Sequence, residues 1–450
     1  MTSNPHNDSL SLKILKKYVI FNFKRFYGEY IVVGRENIPT DSPIIFAANH
    51  LNALMDALAI HSIAPENVTV TFLARADMFN NKLIAKMLHF IKIMPAFRMR
   101  DGMENLGKNN KIFEQCVDIL THNKPLGIMP EGNQGEQRKL RTFTKGIFRI
   151  AFDAQQKYGT NPGVKIVPVG IDFEDIHKFG KHIIINIGKP IEVSEYMTAY
   201  AENPVIATNE IRDQLRNDLR RITLDLATET HYECFETIVG IANTEFAKKL
   251  NLPDNTVFRF VARQKIAEKL IAIEKNEPEK IEELESLCSE YTSSLKKMNL
   301  RNWVLEKPTY KATTLLLDGF MLFTTLPVFI YGFILNFLPF FTPVLVRKYL
   351  IKAEYSGFFS SLHFGIGIFT FPLLYILQTI IFYNFISALW WVIVLFMVSQ
   401  YFFGKWAFQW YKEATKLVAK IRYRYLIHNK SPILERAQNL HKKIIQLISI

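Results

Sequence analysis

Residues 49–56 read Asn-His-Leu-Asn-Ala-Leu-Met-Asp, and residues 129–132 read Met-Pro-Glu-Gly. A histidine with an aspartate a few residues on is the minimum set for taking a proton from an alcohol. The imidazole receives the proton, and the carboxylate fixes its tautomer and steadies the imidazolium. Each motif follows a short apolar run that reads as a buried strand, Ile44–Ala48 before the first and Leu126–Met129 around the second. His50 and Asp56 therefore fall where a strand meets a helix. Glu131 sits in a turn that would bring a second carboxylate to the same pocket. Either motif alone is a weak signal; the two in this order, with basic residues between them, are a stronger one.

Positioning such a pocket needs a sheet. From Tyr30 to Val193 apolar runs alternate with helical stretches. The strands read as Tyr30–Val33, Ile44–Ala48, Val68–Leu73, Ile91–Met94, Leu126–Met129, Val164–Ile171 and His182–Ile187. Helices read as Leu54–Ile63, Lys82–Phe90, Asn109–Leu120 and Gly146–Lys157. Strands that are apolar throughout, rather than alternating, belong to a sheet covered on both faces. The fold class is therefore α/β, with helices flanking the sheet. The catalytic domain is expected over 30–250, its last part helical. Ahead of it, residues 10–28 form a basic amphipathic helix, with Leu12, Leu15, Val19 and Phe23 set among Lys13, Lys16, Lys17, Lys24 and Arg25. Such a helix lies on a membrane surface or packs on the next domain, and both readings stand at this stage. Residues 251–310 contain a helical hairpin broken at Pro278.

Aromatic residues, 13% of the chain, crowd into its last third, where the membrane region 311–410 is expected. Three apolar runs, 315–341, 356–383 and 385–404, each reach the ~20 residues a span requires. The loop 346–354 carries Arg347, Lys348 and Lys352, and the basic tail 411–450 opens with Lys412, Lys416, Lys420, Arg422 and Arg424. Both flanks are cytoplasmic by the positive-inside rule. Two spans at 356–383 and 385–404 satisfy them, with the proline-bearing 315–341 run re-entrant or interfacial. The catalytic half is placed on the cytoplasmic face, because the N-terminus lacks the apolar core and cleavage site of a signal peptide. A formal net charge of +13 attracts anions. Without an RNA-binding or helix-turn-helix signature, membrane lipids and phosphate are the expected partners, and nucleic acid is not. Cys116, Cys234 and Cys288 have neither paired nor metal spacing. No His/Asp cluster has ligand spacing either, so no metal site is expected.

Residues 30–193 resemble the glycerolipid acyltransferase superfamily, which contains lysophosphatidate and glycerol-3-phosphate acyltransferases. The first family block is Asn-His, four residues, then Asp. Here Asn49 and His50 match, and Asp56 lies one residue further, a spacing that resembles the fungal-type glycerol-3-phosphate or dihydroxyacetone-phosphate acyltransferases. Ile93-Met94-Pro95-Ala96-Phe97-Arg98 fits the second block. Met129-Pro130-Glu131-Gly132-Asn133-Gln134 keeps the centre of the third but not its arginine, for which Arg138, Arg141 or Lys145 would substitute. Ile166-Val167-Pro168-Val169-Gly170 fits the fourth, and Gly188-Lys189-Pro190-Ile191 resembles the closing strand-turn.

The resemblance implies direct acyl transfer from acyl-CoA or acyl-carrier protein to a hydroxyl of glycerol-3-phosphate or 1-acyl-glycerol-3-phosphate. No cofactor and no covalent enzyme intermediate are involved. His50 is then the general base and Asp56 its partner. Arg98, with Arg100 as the second choice, clamps the acceptor phosphate. Glu131 orients acceptor hydroxyls, and Gly132 lets backbone approach the ligand. Asn52, inside the first block, is a pocket residue or a helix-start residue. The competing readings are an acyltransferase for another lipid acceptor and a non-catalytic lipid-binding membrane protein on the same scaffold. Intact His50, Asp56, Arg98 and Glu131 argue against the latter, which needs none of the four.

Overall fold

The structure is a computed structural model, and it describes residues 8–66, 68–97, 107–159, 163–351, 356–386 and 389–448. The chain forms two units, Met1–Asp225 with Ala353–Phe364, and Leu226–Lys352 with Gly365–Ile450.

The first unit is built on a mixed eight-stranded sheet. Its strands are β1 (Glu29–Val33), β2 (Ile44–Ala48), β3 (Thr71–Arg75), β4 (Ile93–Ala96), β5 (Leu126–Ile128), β6 (Lys165–Phe173), β7 (His182–Ile187) and β8 (Ile191–Glu192). The order is β1-β7-β6-β2-β5-β3-β4, with β8 beside β6. All neighbours are parallel except β6 with β7 and β6 with β8. All five residues of β2 are buried, as a strand covered on both faces requires. Ile45 and Ala47 point into a core with α4 (Lys108–Thr121), α5 (Gly146–Tyr158) and α7 (Pro204–Ile222), through Cys116, Leu120, Phe148, Phe152, Ile211 and Leu215. Ile44, Phe46 and Ala48 are equally buried, and point to the opposite face by the period of two. Gly127 on β5 has no room for a side chain, because a Cβ there would run into the Phe72 ring of β3.

Further helices of this unit are α1 (Leu10–Phe26), α2 (Ala53–Ile63), α3 (Lys82–Phe90) and α6 (Met197–Glu202). The open question about α1 resolves in favour of packing on one face. Leu12 and Phe23 are buried, and Lys16 Nζ donates to the carbonyls of Pro65 and Val68 at 3.1 and 2.6 Å. The Asp8 carboxylate accepts from the Thr69 amide and hydroxyl. Its other face leaves Leu10, Ile14 and Phe21 exposed. β3 and β4 each lie two or three residues further along than the apolar runs suggest, and β6 runs two residues past the expected Ile171.

The second unit is helical, and its boundary corrects the expected one. Helix α8 (Tyr232–Lys249) buries Cys234, Phe235, Ile238 and Ala242 against α9 (Thr256–Asn276) and α10 (Pro278–Met298), so the first unit ends at Asp225, not near 250. Pro278 occupies the first turn of α10, where its missing N–H has no cost. The expected separate tail from 411 is also revised. Helix α14 (Trp390–His428) runs straight through that point. Helix α15 (Pro432–Ile448) then packs on α10 through Leu434, Ala437, Leu440 and Ile444, with ion pairs Arg436–Glu290 and Lys443–Glu283, each at 2.6 Å.

Between these come α11 (Ala312–Thr324), α12 (Leu326–Leu345) and α13 (Phe359–Phe385). The apolar run read as 315–341 is two helices, divided at Thr325 with Pro327 starting the second. Among the described residues, three helices are long and apolar enough to cross a membrane: Leu326–Ile351, Phe359–Phe385 and Trp390–His428. Polar groups join them. Asn336 donates to the Gln400 carbonyl at 2.9 Å and accepts from the Tyr375 hydroxyl at 2.5 Å, and the fully buried Gln400 donates to Thr379 at 3.0 Å. In an apolar surrounding each such group costs several kcal/mol if left unpaired, roughly, so the pairing fixes which helix faces meet.

His61, on α2, generates a test. Its Nδ1 is sealed without a partner, and burial, aided by the nearby Lys16 charge and opposed by Asp8, lowers its pKa to about 3. A neutral histidine here supports the fold fully above its ordinary pKa near 6.5. That contribution is lost as pH falls from there towards the folded value. Thermal melts at pH 7 and pH 4.5 should show a smaller acid-induced drop for His61→Phe than for the wild type; equal drops would rule this histidine out as a source of acid sensitivity.

Candidate active site

Strands β2 and β5 are parallel neighbours, with Ala47 opposite Ile128. Both loops that follow therefore emerge at the same edge of the sheet. That edge, outside the carboxyl ends of parallel strands, is where open α/β sheets hold ligands. His50 is two residues past β2, and Glu131 is three past β5.

The Asn49 side chain opens the site by bonding across to β6. Its amide donates to the Ile171 carbonyl at 3.0 Å and its oxygen accepts from the Ile171 amide at 2.8 Å. The next residue is thereby held at the strand end. His50 Nδ1 lies 2.8 Å from Asp56 Oδ2. The aspartate sits in the first turn of α2, and its side chain runs back over the helix start, as helical side chains do. The same oxygen accepts the amides of Leu51 and Asn52 at 2.9 and 2.7 Å. One carboxylate oxygen thus holds the ring and the two amides that lead into α2. The five-residue gap between His50 and Asp56 is spanned by a tight turn in which Ala53, a non-glycine residue, takes φ +39°. With Nδ1 engaged by a carboxylate, Nε2 is the nitrogen left to receive a proton, on a side chain 21% exposed beside an aspartate that is 1% exposed.

The Pro-Glu-Gly turn closes over this pair. Glu131 Oε1 accepts the His50 amide at 3.2 Å, and Oε2 accepts Arg141 Nε at 2.6 Å. Arg141 Nη2 also donates to the Asn133 carbonyl. Burial holds the Glu131 carboxyl above its ordinary range, against the pull of Arg141. Gly132 takes φ +70°, a conformation an L side chain adopts at a cost, and a Cβ there would press on Thr144. The Gly135 amide donates to the His50 carbonyl at 2.9 Å, and Gln134 Nε2 to the Leu51 carbonyl at 3.3 Å. Behind the pair, the Tyr27 hydroxyl and Asp56 Oδ1 are buried without partners. Burial, and then the Asp56 charge, raise the tyrosine's pKa well above its usual value.

Of the residues singled out in sequence, His50, Asp56, Glu131, Gly132 and Asn52 converge here. Asn52 does not present itself to a pocket. It is 1% exposed, its Nδ2 donates to the Ile176 carbonyl at 3.1 Å, and its Oδ1 accepts the Ser360 hydroxyl at 2.6 Å. Glu131 likewise has both oxygens engaged within the protein. Arg98 and Arg100 lie outside the described residues. Among the three basic residues near the third block, Arg138 donates to the Phe173 carbonyl at 2.7 Å, so it ties the loop to β6. Arg141 is the one that reaches the site, with 31% of its side chain exposed. Ser360, Ser361 and Tyr27 gave no signal in sequence. Among the described residues, no group of three or more His, Cys, Asp and Glu could hold a metal ion.

Residues 29–172 match the profile of the Acyltransferase family. This segment is an acyltransferase domain. The chain is 27% identical over 199 residues to glycerol-3-phosphate O-acyltransferase 1 of Saccharomyces cerevisiae, covering 44% of this chain and 25% of that one. It is 25% identical over 191 residues to a 1-acyl-sn-glycerol-3-phosphate acyltransferase of Chlamydomonas reinhardtii, covering 42% and 50%. A 1-acyl-sn-glycerol-3-phosphate acyltransferase of Borreliella burgdorferi is 25% identical over 203 residues, covering 43% of this chain and 73% of its own. The chain thus spans a quarter of the yeast relative's length and half of the algal one's. Among solved structures it is similar to the 1-acyl-sn-glycerophosphate acyltransferase PlsC of Thermotoga maritima, with a TM-score of 0.32 and 18% identity over 45% of this chain and 77% of that one.

The acyltransferase domain's two central side chains differ in what they hold. Asp56→Ala strands two backbone amides, a ring nitrogen and the helix start, and should cost about 1–3 kcal/mol of stability. His50→Ala should cost less, about 1 kcal/mol, because Asp56 Oδ2 keeps both amide donors. Denaturation of both variants beside the wild type checks the contrast, and equal losses would contradict it.

Proposed function

We propose that the protein is a membrane-bound O-acyltransferase. It transfers a fatty acyl group from a thioester, acyl-CoA or acyl-carrier protein, to a hydroxyl of glycerol-3-phosphate or 1-acyl-glycerol-3-phosphate. The observation that carries the reading is the His50 Nδ1···Asp56 Oδ2 contact at the carboxyl edge of β2. It is supported by a family match that covers the site and by the names of the yeast, algal and Borreliella relatives.

In this reading His50 Nε2 takes the proton of the acceptor hydroxyl as that oxygen attacks the thioester carbonyl. The tetrahedral intermediate collapses with loss of thiolate, and the imidazolium returns its proton to the sulfur. The result is an ester, a free thiol and the neutral base. Asp56 steadies the imidazolium and holds the ring. Arg141 takes the place of the missing third-block arginine and meets the acceptor phosphate, with Glu131 bracing its guanidinium. Arg98 and Arg100 stay proposed phosphate ligands.

The catalytic unit is placed on the cytoplasmic face, with Phe359–Phe385 and the first part of Trp390–His428 as the two crossings. The basic flanks support this. So does the assignment of residues 353–364 to the catalytic unit. The chain must be back on the catalytic side before α13 begins, whereas a single full crossing by 326–351 would leave it on the other.

The first experiment is acyl transfer by the purified full chain in detergent, with both thioester donors offered against glycerol-3-phosphate, 1-acyl-glycerol-3-phosphate and an uncharged lysolipid. His50→Ala should lose about 10²–10⁴-fold in kcat. Arg141→Ala should raise KM roughly ten- to a hundredfold for phosphate-bearing acceptors only, the weight of a charged hydrogen bond. Transfer unaffected by His50→Ala would remove the mechanism, and no transfer to any acceptor would remove the reading. For the topology, the three native cysteines are buried, so Asn384→Cys reports cleanly. A membrane-impermeant thiol reagent should label it in intact cells and should miss a cysteine appended after Ile450; the reverse pattern refutes the orientation.

A further inference from the structure

A short segment remote in sequence reaches the catalytic turn. Residues 357–364 precede and begin α13, yet they belong to the catalytic unit. Ser360 Oγ donates to Asn52 Oδ1 at 2.6 Å, and Ser361 Oγ donates to the Asn52 carbonyl at 3.1 Å, across 308 and 309 residues of chain. Both serines are buried, at 2% and 6% exposure. The Gly357 backbone lies so close to Gln134 and the Leu51 carbonyl that a Cβ would not fit. Phe364 stands edge-on to Phe23 and Phe26, with ring centroids 6.2 and 5.6 Å apart.

What the serines grip is the turn that sets Asp56. Leu51 and Asn52 supply the two amides on Asp56 Oδ2, and Ala53, which follows, is held in the left-handed region that disfavours a side chain. Such a conformation persists only where its surroundings over-determine it. Four side-chain hydrogen bonds do so here. Gln134 bonds the Leu51 carbonyl, Ser361 bonds the Asn52 carbonyl, and the two ends of the Asn52 amide bond Ser360 and the Ile176 carbonyl. We infer that Ser360 and Ser361 are positioning residues of the acyl-transfer site: they hold the 51–53 turn so that Asp56, and through it His50, stays aimed. The segment that opens an apolar helix is thus part of the catalytic apparatus. This rests on the acyltransferase reading and adds a function for a region outside the matched family segment.

The test uses the full chain in detergent. Removing two neutral hydrogen bonds in Ser360→Ala/Ser361→Ala should lower kcat roughly tenfold, with KM for donor and acceptor within about twofold. Ser360→Thr keeps a hydroxyl and should restore most of the rate of Ser360→Ala. Adding Ser360→Ala to Asn52→Ala should cost nothing further, since Ser360 acts through Asn52. Unchanged kcat, a rise in KM alone, or additive losses would each overturn the inference. Hydrogen exchange of peptides covering 49–56 gives a readout that needs no turnover. Exchange at the Leu51 and Asn52 amides should quicken in the double variant while β2 stays protected, and unchanged protection overturns the inference even if the wild type proves inactive with every acceptor offered.

Discussion

One carboxylate oxygen, Asp56 Oδ2, accepts three hydrogen bonds at once, from a histidine ring and from two consecutive backbone amides. The amides belong to Leu51 and Asn52, in the turn that leads into α2. Satisfying them fixes the carboxylate, and the fixed carboxylate orients the imidazole. The ring therefore acquires its direction from the same bonds that hold this turn. Because Asp56 is almost wholly buried, water does not compete for that oxygen, and each bond acts in a medium where it is stronger than at the surface.

The sheet explains why a second motif about eighty residues later can serve the same ring. Parallel neighbours put their carboxyl ends on one edge, so the β2 and β5 loops meet without any long-range adjustment. Glu131 then couples the two loops, taking the His50 amide with one oxygen and Arg141 with the other. A buried carboxylate with one of these partners removed would be left uncompensated. That pairing holds Arg141, ten residues further on, at the Pro-Glu-Gly turn.

Much of this was legible in sequence, for identifiable reasons. β2 and β7 were found to the residue and β5 to within one, because apolar runs bounded by turn residues leave little choice. β3 and β4 were misplaced because strand ends follow pairing partners more than apolar content. The Thr71 amide finds the Pro125 carbonyl, and Lys92 turns at φ +61° immediately before β4. Helix α8 falls in the stretch read as helical and 432–448 was read only as a basic tail; a stripe of apolar residues reports that a face is buried and not against what. Hence the unit boundary at 225 and the return of 432–448 onto α10 were out of reach. Arg138, Arg141 and Lys145 were indistinguishable by type, and only their partners separate them. Ser360 and Ser361 carried no signal, since two serines ahead of an apolar run resemble an ordinary helix start.

The apolar helices obey a related economy of polar groups. Asn336, Tyr375, Thr379 and Gln400 would each be costly in a hydrocarbon surrounding. Asn336 joins the Tyr375 hydroxyl to the Gln400 carbonyl, and Gln400 Nε2 donates to Thr379 and to the Tyr375 carbonyl. Gly332 and Gly404 allow the close approach this needs, since a Cβ at either would strike Phe403 or Asn336. Apolar surface alone gives no preference for one helix face over another in such a medium, so hydrogen bonds and small residues set the packing. The start of α13 follows the same logic from its other end: Ser360 and Ser361 find their acceptors on the turn that orients Asp56. Polar residues in an otherwise apolar region thus mark where the chain must be held in one place, and the first of those places is the catalytic turn.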